Sequence, residues 1–167
     1  PCLPQNYLDF IQNFKLDPKR QLCFTTERVE GTKDQYNLEV LVKGKWIDTI
    51  LYEIPLLALI SEAYFKFVDT DWTYNGQLEN AQAKATKLFK HGIKFSEFGS
   101  RRRRSKNTHD LIMQGIMKAV EENPDEYEKL LLGTSNVLFA KKFNLRPIGT
   151  VAHEWVMGIA AITNDYI

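Results

Sequence analysis

From Ile93 to Ile162, short apolar stretches alternate with longer helical repeats, and this alternation constrains the fold more than any other feature of the chain. Ile93, Phe95 and Phe98 read as a first strand. Leu111, Ile112, Gly115, Ile116, Ala119 and Val120 then mark a helix closed by Pro124. Leu130 to Leu132 form a second strand, Asn136 to Phe143 a short helix, Pro147 to Val151 a third strand, and His153 to Ile162 the start of another helix. A βαβαβα order implies parallel strands covered by helices, because a parallel crossover needs about a dozen residues. Gly133 to Arg146 supplies just enough chain for one.

The N-terminal half has a different rhythm. Leu38, Val40 and Val42 alternate with polar neighbours, Lys43-Gly44-Lys45 interrupts, and Trp46 to Leu51 resumes an extended pattern, which predicts a β-hairpin. Pro55 suits the first turn of a helix carrying Leu57, Ile60, Tyr64 and Phe67. A second helix follows the Asn75-Gly76 turn, with Leu78, Ala81, Ala85 and Leu88 on one face, and Gly92 ends it.

The strand ends carry the chemistry. At the carboxyl end of each proposed strand in the C-terminal half stand small, polar or cationic residues: Phe98-Gly99-Ser100-Arg101, Gly133-Thr134-Ser135-Asn136, and Gly149-Thr150 leading to His153. In α/β folds that end of a parallel sheet is the ligand face, since loops and helix N-termini converge there. Phe98 can stack on a planar ligand, although a strand phenylalanine is more commonly core. Gly133, Thr134, Ser135 and Asn136 offer a glycine turn, hydroxyls and an amide suited to phosphate or polar ring substituents, or alternatively a simple helix cap.

Arg101 to Arg104, with Lys94 and Lys106 nearby, concentrate positive charge on one loop. Guanidinium groups clamp carboxylate or phosphate, yet an isolated arginine run also reads as a solvated patch, a localisation signal or a nucleic-acid contact. On an extended loop alternate arginines would point in opposite directions, so one or two would enter a site. His153, beside Glu154, can act as nucleophile, base or hydrogen-bond partner; neighbouring helix residues point different ways, so no His-Glu dyad is expected.

Twenty-two basic and twenty-one acidic side chains give a net charge of +1, so any anion site is local rather than a global field for nucleic acid or membrane. Cys2 and Cys23 have neither zinc-binding spacing nor the number for a disulfide scaffold, which points to a reducing compartment, cytoplasmic with the nucleus as an alternative. The apolar run Ile54 to Ile60 is far short of the ~18 residues that span a bilayer. The chain opens at Pro1 without a methionine and stops at Ile167 just after an apolar run, and the expectation is a piece of a longer polypeptide.

Taken in order, these motifs resemble the nicotinate phosphoribosyltransferase family, with similarity from Tyr52-Glu53-Ile54-Pro55-Leu56-Leu57-Ala58 through Ile162. The longest matches are Gly133-Thr134-Ser135-Asn136-Val137-Leu138-Phe139-Ala140-Lys141-Lys142-Phe143 and Pro147 to Trp155. The resemblance implies part of an N-terminal α/β domain, residues 1–92, and the first part of an irregular, parallel, barrel-like α/β domain of the type II phosphoribosyltransferases, residues 93–167.

It further implies synthesis of nicotinate mononucleotide and pyrophosphate from nicotinate and phosphoribosyl pyrophosphate with Mg²⁺, coupled to ATP hydrolysis through a phosphohistidine, within NAD biosynthesis. By the same resemblance His153 is that histidine, Phe98 stacks on the pyridine and Arg101 lies near anionic groups; Ser135 and Asn136 are further substrate-binding candidates, and the strand-end residues Gly133, Thr134, Gly149 and Thr150 are phosphate-binding candidates by residue type and position. In the sister family that uses nicotinamide, the residue matching Ser135 is an aspartate. The expected partners are small molecules, with neither nucleic acid nor membrane. Metal ligands and oligomeric state are left open, and rival readings are a sister phosphoribosyltransferase acting on nicotinamide or quinolinate and an arginine-rich nucleic-acid-binding module.

Overall fold

A computed structural model describes residues 3–151 and 153–165; Cys2, and Ala152 of the His153 motif, lie outside the described residues. The elements in chain order are α1 (Gln5–Asn13), α2 (Pro18–Gln21), β1 (Leu22–Arg28), β2 (Tyr36–Val42), α3 (Trp46–Thr49), α4 (Glu53–Phe67), α5 (Gln77–Lys90), β3 (Phe95–Glu97), α6 (Lys106–Glu121), α7 (Pro124–Tyr127), β4 (Leu131–Thr134), α8 (Val137–Lys142) and α9 (His153–Thr163). They gather into two compact units. One holds the chain up to Thr70 together with Arg101–Ser105, and the other holds Asp71–Ser100 and the chain from Lys106 onward.

In the first unit β1 and β2 form an antiparallel hairpin, with Leu22 opposite Val42 and Arg28 opposite Tyr36. The Arg28 guanidinium donates to the carbonyls of Thr32 and Lys33 and so holds the connecting loop. This corrects the expected hairpin: the partner of β2 precedes it, and Trp46–Thr49 is helical. Trp, Ile and Thr favour strands, but here the chain turns back on the Lys45 carbonyl. The Asp48 amide and Thr49 hydroxyl both donate to the Lys45 carbonyl, and Asp48 places negative charge in the first turn. Helix α4 forms where the spacing predicts it. The buried Tyr52 just before it donates its hydroxyl to Gln21 Oε1 at 2.8 Å.

The second unit contains the principal hydrophobic cluster, made by Ala85 and Phe89 of α5, Met113, Ile116, Ala119 and Val120 of α6, Tyr127 of α7, Leu130, Leu131 of β4 and Phe139 of α8. Phe89 stacks between Phe95 and Tyr127, at centroid distances of 5.4 and 5.0 Å. It is buried more deeply than the aliphatic stripe expected on the same helix. α6 ends at Glu121, three residues before Pro124, which itself opens α7, where its missing N–H costs nothing.

Strands β3 and β4 pair in parallel, with Glu97 opposite Thr134. The expected third strand at Pro147 to Val151 is reduced to a single parallel bridge, Thr134 to Pro147, flanked by bonds from Thr134 N to Arg146 O and from Ile148 N to Thr134 O. The physical reason is that β4 ends at Thr134 and turns into α8, so nothing remains for residues beyond Ile148 to pair with, and Pro147 lacks an N–H. Gly133 makes this approach possible: its φ is +143°, and a Cβ there would lie 2.1 Å from the Arg146 carbonyl oxygen. The α/β reading and the parallel pairing thus stand, with a shorter sheet than the sequence pattern predicts.

Candidate active site

Parallel pairing sends the chain off β3 and β4 at the same edge. Ser135 and Asn136 follow β4, and Phe98 to Ser100 follow β3. Two hydrogen bonds join these exits directly: Ser135 N donates to Glu97 O at 2.9 Å, and Asn136 Nδ2 donates to Ser100 Oγ at 3.0 Å. Asn136 is also the N-cap of α8, with its Oδ1 accepting from Phe139 N at 3.2 Å. The cap is therefore Asn136, and the half-buried Ser135 has no side-chain hydrogen bond among the described residues.

Phe98 is exposed rather than core. Thr134 is fully buried: its hydroxyl donates to Glu97 Oε2 at 2.6 Å and accepts from Asn136 N at 3.1 Å, so it faces inward. Gly149 and Thr150 are exposed, and the bridge at Pro147 carries them past the same edge. His153 begins α9 and is exposed. No hydrogen bond joins it to the other strand ends among the described residues.

His153 and Glu154 do meet, against expectation, with Nε2 3.0 Å from Oε1.

The arginine run is not an extended loop. Gly99–Arg102 form a 3-10 turn, so the alternating directions expected of an extended loop do not hold for Arg101 and Arg102. Arg101 is ion-paired to Glu53, Ser61 Oγ donates to the Arg103 carbonyl, and the Arg104 guanidinium lies 5.1 Å from the Phe65 ring centre.

Two residues that sequence reasoning passed over organise the edge. Glu97 is buried at the end of β3, and its Oε1 accepts from His109 Nε2 at 2.8 Å and from the Gly99 amide, while Oε2 takes the Thr134 hydroxyl. His109 is buried on α6 with its ring edge-on to Phe139 at 4.6 Å, and its Nδ1 has no partner among the described residues. The signals were periodic. His109 lies four, seven and eleven residues before Met113, Ile116 and Val120 on the core face, and Glu97 alternates with Phe95.

Burial pushes the Glu97 carboxyl up, but hydrogen bonds from His109, Thr134 and Gly99, with the charge attraction of His109, outweigh it and hold the group below the usual carboxylate range. A depressed acid stabilises the fold above its unfolded pKa, about 4.3 for glutamate, and loses that contribution as pH falls through its depressed value. In urea unfolding of the full-length protein, the stability advantage over Glu97→Gln should therefore be full near neutrality and shrink in acid. A difference constant down to the acid limit contradicts this ionised, hydrogen-bonded state.

Among the described residues no three His, Cys, Asp or Glu side chains gather as a metal cage. Magnesium commonly keeps waters and binds through one or two carboxylates plus substrate phosphates.

The chain was also compared with known proteins. The profile of the nicotinate phosphoribosyltransferase (NAPRTase) family matches residues 93–167, and that of the NAPRTase N-terminal domain matches residues 1–61. A nicotinate phosphoribosyltransferase of Saccharomyces cerevisiae is 64% identical over 167 residues, covering 99% of this chain and 39% of the relative. One of Methanosarcina mazei is 37% identical over 182 residues, covering 97% of this chain and 40% of its own length.

Among solved structures, a nicotinate phosphoribosyltransferase crystal structure from Saccharomyces cerevisiae superposes with a TM-score of 0.93 at 64% identity, over 99% of this chain and 40% of that one. Another, from Porphyromonas gingivalis, gives 0.77 at 32% identity, over 98% and 38%. The chain therefore spans about two fifths of the length of the relatives it matches. Two profiles in sequence order, relatives matched from end to end of the chain and a shared backbone agree with the strand-end motifs, and the chain belongs to the nicotinate phosphoribosyltransferase family.

Proposed function

We propose that the full-length protein joins nicotinate to the phosphoribosyl group of phosphoribosyl pyrophosphate, forming nicotinate mononucleotide and pyrophosphate in NAD biosynthesis, and that it couples this to ATP hydrolysis. The observation that carries the reading is the shared edge: parallel β3 and β4 deliver Phe98 to Ser100 and Ser135-Asn136 to one place, tied by the bond from Asn136 to Ser100. The names of the family and of its relatives agree with it.

In this reading the exposed Phe98 ring supplies a stacking face for the pyridine, and the unengaged Ser135 hydroxyl donates to the ring carboxylate. Arg101, one residue beyond Ser100, is the cation for anionic substrate groups, and Glu53 holds its guanidinium. As pyrophosphate leaves, the ribosyl carbon gains oxocarbenium character. The protein's task is then positioning and charge stabilisation, without a nucleophile at the sugar.

His153 is the proposed phosphate acceptor. With Nε2 set beside the Glu154 carboxylate, 3.0 Å from Oε1, the lone pair of Nδ1 attacks the terminal phosphorus of ATP and releases ADP, and water then returns the phosphohistidine to histidine and phosphate. Its place at the start of an eleven-residue helix favours the added negative charge. Mg²⁺, when bound with the pyrophosphate and triphosphate substrates, offsets their charge. The free, exposed thiol of Cys23 supports a reducing compartment, cytoplasmic or alternatively nuclear.

Competition among radiolabelled nicotinate, nicotinamide and quinolinate in the full-length protein tests the substrate. Nicotinate should be incorporated with phosphoribosyl pyrophosphate, faster with ATP, and the other two should compete poorly. Preferential use of nicotinamide or quinolinate would overturn the assignment.

A further inference from the structure

Glu97 has no role in the reading above, yet more of the proposed site converges on it than on any residue assigned there. Its carboxylate receives the Gly99 amide, the Thr134 hydroxyl and His109 Nε2, while its carbonyl receives the Ser135 amide. It thereby touches the backbone on both sides of the candidate pocket, one residue after Phe98 and at Ser135 itself. The side chain is 7% exposed, so these bonds are made out of water, where an unmatched partner is costly.

The space around Gly99 fits the same purpose. A Cβ on it would lie 2.7 Å from Glu97 Oε1 and 3.4 Å from His109 Nε2, so a larger residue would push the carboxylate from its place. Thr134, a phosphate-binding candidate by residue type and position, is committed to Glu97 and to the Asn136 amide instead.

We infer that Glu97 is a positioning residue: with Thr134 it clamps the Phe98–Ser100 turn to the Ser135-Asn136 turn, and so sets the gap between the stacking ring and the hydroxyl that faces the ring substituent of the base. This deepens the proposed reading and rests on it. Neither group touches substrate, so the clamp acts through the placement of Phe98 and Ser135. A glutamine at 97 keeps the shape but replaces one accepting oxygen by a donor, and cannot serve Thr134, His109 and Gly99 together. Thr134→Val removes the matching hydroxyl, Thr134→Ser restores it, and Gly99→Ala pushes the carboxylate from the loop side.

The test is steady-state kinetics of the full-length protein, with thermal midpoints measured alongside. Glu97→Gln, Thr134→Val and Gly99→Ala should each raise KM for nicotinate and lower kcat/KM about tenfold, with Thr134→Ser within about twofold of wild type. The pair Glu97→Gln and Thr134→Val should be little worse together than apart, since either one opens the same clamp. Lowered midpoints with unchanged KM and kcat for the folded fraction would reduce Glu97 to a core residue and overturn the inference. Fully additive losses in the double variant, or no rescue by Thr134→Ser, would overturn it as well. A wild type that prefers nicotinamide or quinolinate defeats the substrate assignment alone, and the same ratios are then read with that base. A variant that does not fold is replaced in the comparison by the other two, which approach the carboxylate from different sides.

Discussion

In the full-length protein His153→Ala is expected to abolish the stimulation of turnover by ATP while leaving slower, ATP-independent synthesis of the mononucleotide. The argument starts from separation. His153 is exposed at the start of α9, beside Glu154, and is joined by no hydrogen bond to the two strand exits among the described residues. Removing the imidazole deletes the proposed phosphate acceptor but leaves the bonds from Asn136 to Ser100 and from Ser135 to Glu97 as before. The rate with ATP should therefore fall to the rate without it, and acid-labile phosphate on the protein should disappear. Glu154→Gln should show a milder, partial loss, because it frees the tautomer without removing the nucleophile. Unchanged ATP stimulation in His153→Ala would exclude that residue as acceptor.

The parts of the fold that the sequence discloses are those where one periodicity dominates. Helices α4, α5 and α6 carry apolar stripes at helical spacing, and each forms where its stripe lies. Trp46 to Leu51 misleads because its residues favour strands, while the helix there is decided by bonds to a single carbonyl, that of Lys45. Phe89 is underestimated because attention to Leu78, Ala81, Ala85 and Leu88 passes over the ring four residues after Ala85 that fills the core.

The third strand cannot be sized from its own residues, since its length depends on where β4 turns away. At the site the strand-end residues are legible because small and polar types there break the apolar pattern. Glu97 and His109 are not, because a charged or titratable residue inside an amphipathic element reads as solvent-facing until its partners are known. Their partners are twelve and thirty-seven positions from Glu97 along the chain.

Ser135→Asp should be the most damaging single change to the use of nicotinate itself. The ring carboxylate of nicotinate is an anion, whereas the carboxamide of nicotinamide is neutral and its NH₂ needs an acceptor. The Ser135 hydroxyl is unengaged among the described residues and available to donate, while the backbone amide of the residue is held by the Glu97 carbonyl whatever side chain it bears. Aspartate can therefore be introduced without undoing the turn, and the helix cap is not at issue because Asn136 supplies it.

What changes is charge. Two carboxylates facing each other in a partly desolvated pocket cost several kcal/mol, and about 3 kcal/mol corresponds to roughly a hundredfold in affinity. The expected result is a loss of about that size in kcat/KM for nicotinate, together with a gain in nicotinamide use, since the new carboxylate accepts from its NH₂. Both bases should be assayed with saturating phosphoribosyl pyrophosphate and ATP. Nicotinate kinetics within about twofold of wild type would mean that residue 135 does not face the base, because no compensating contact could hide a charge conflict of that magnitude.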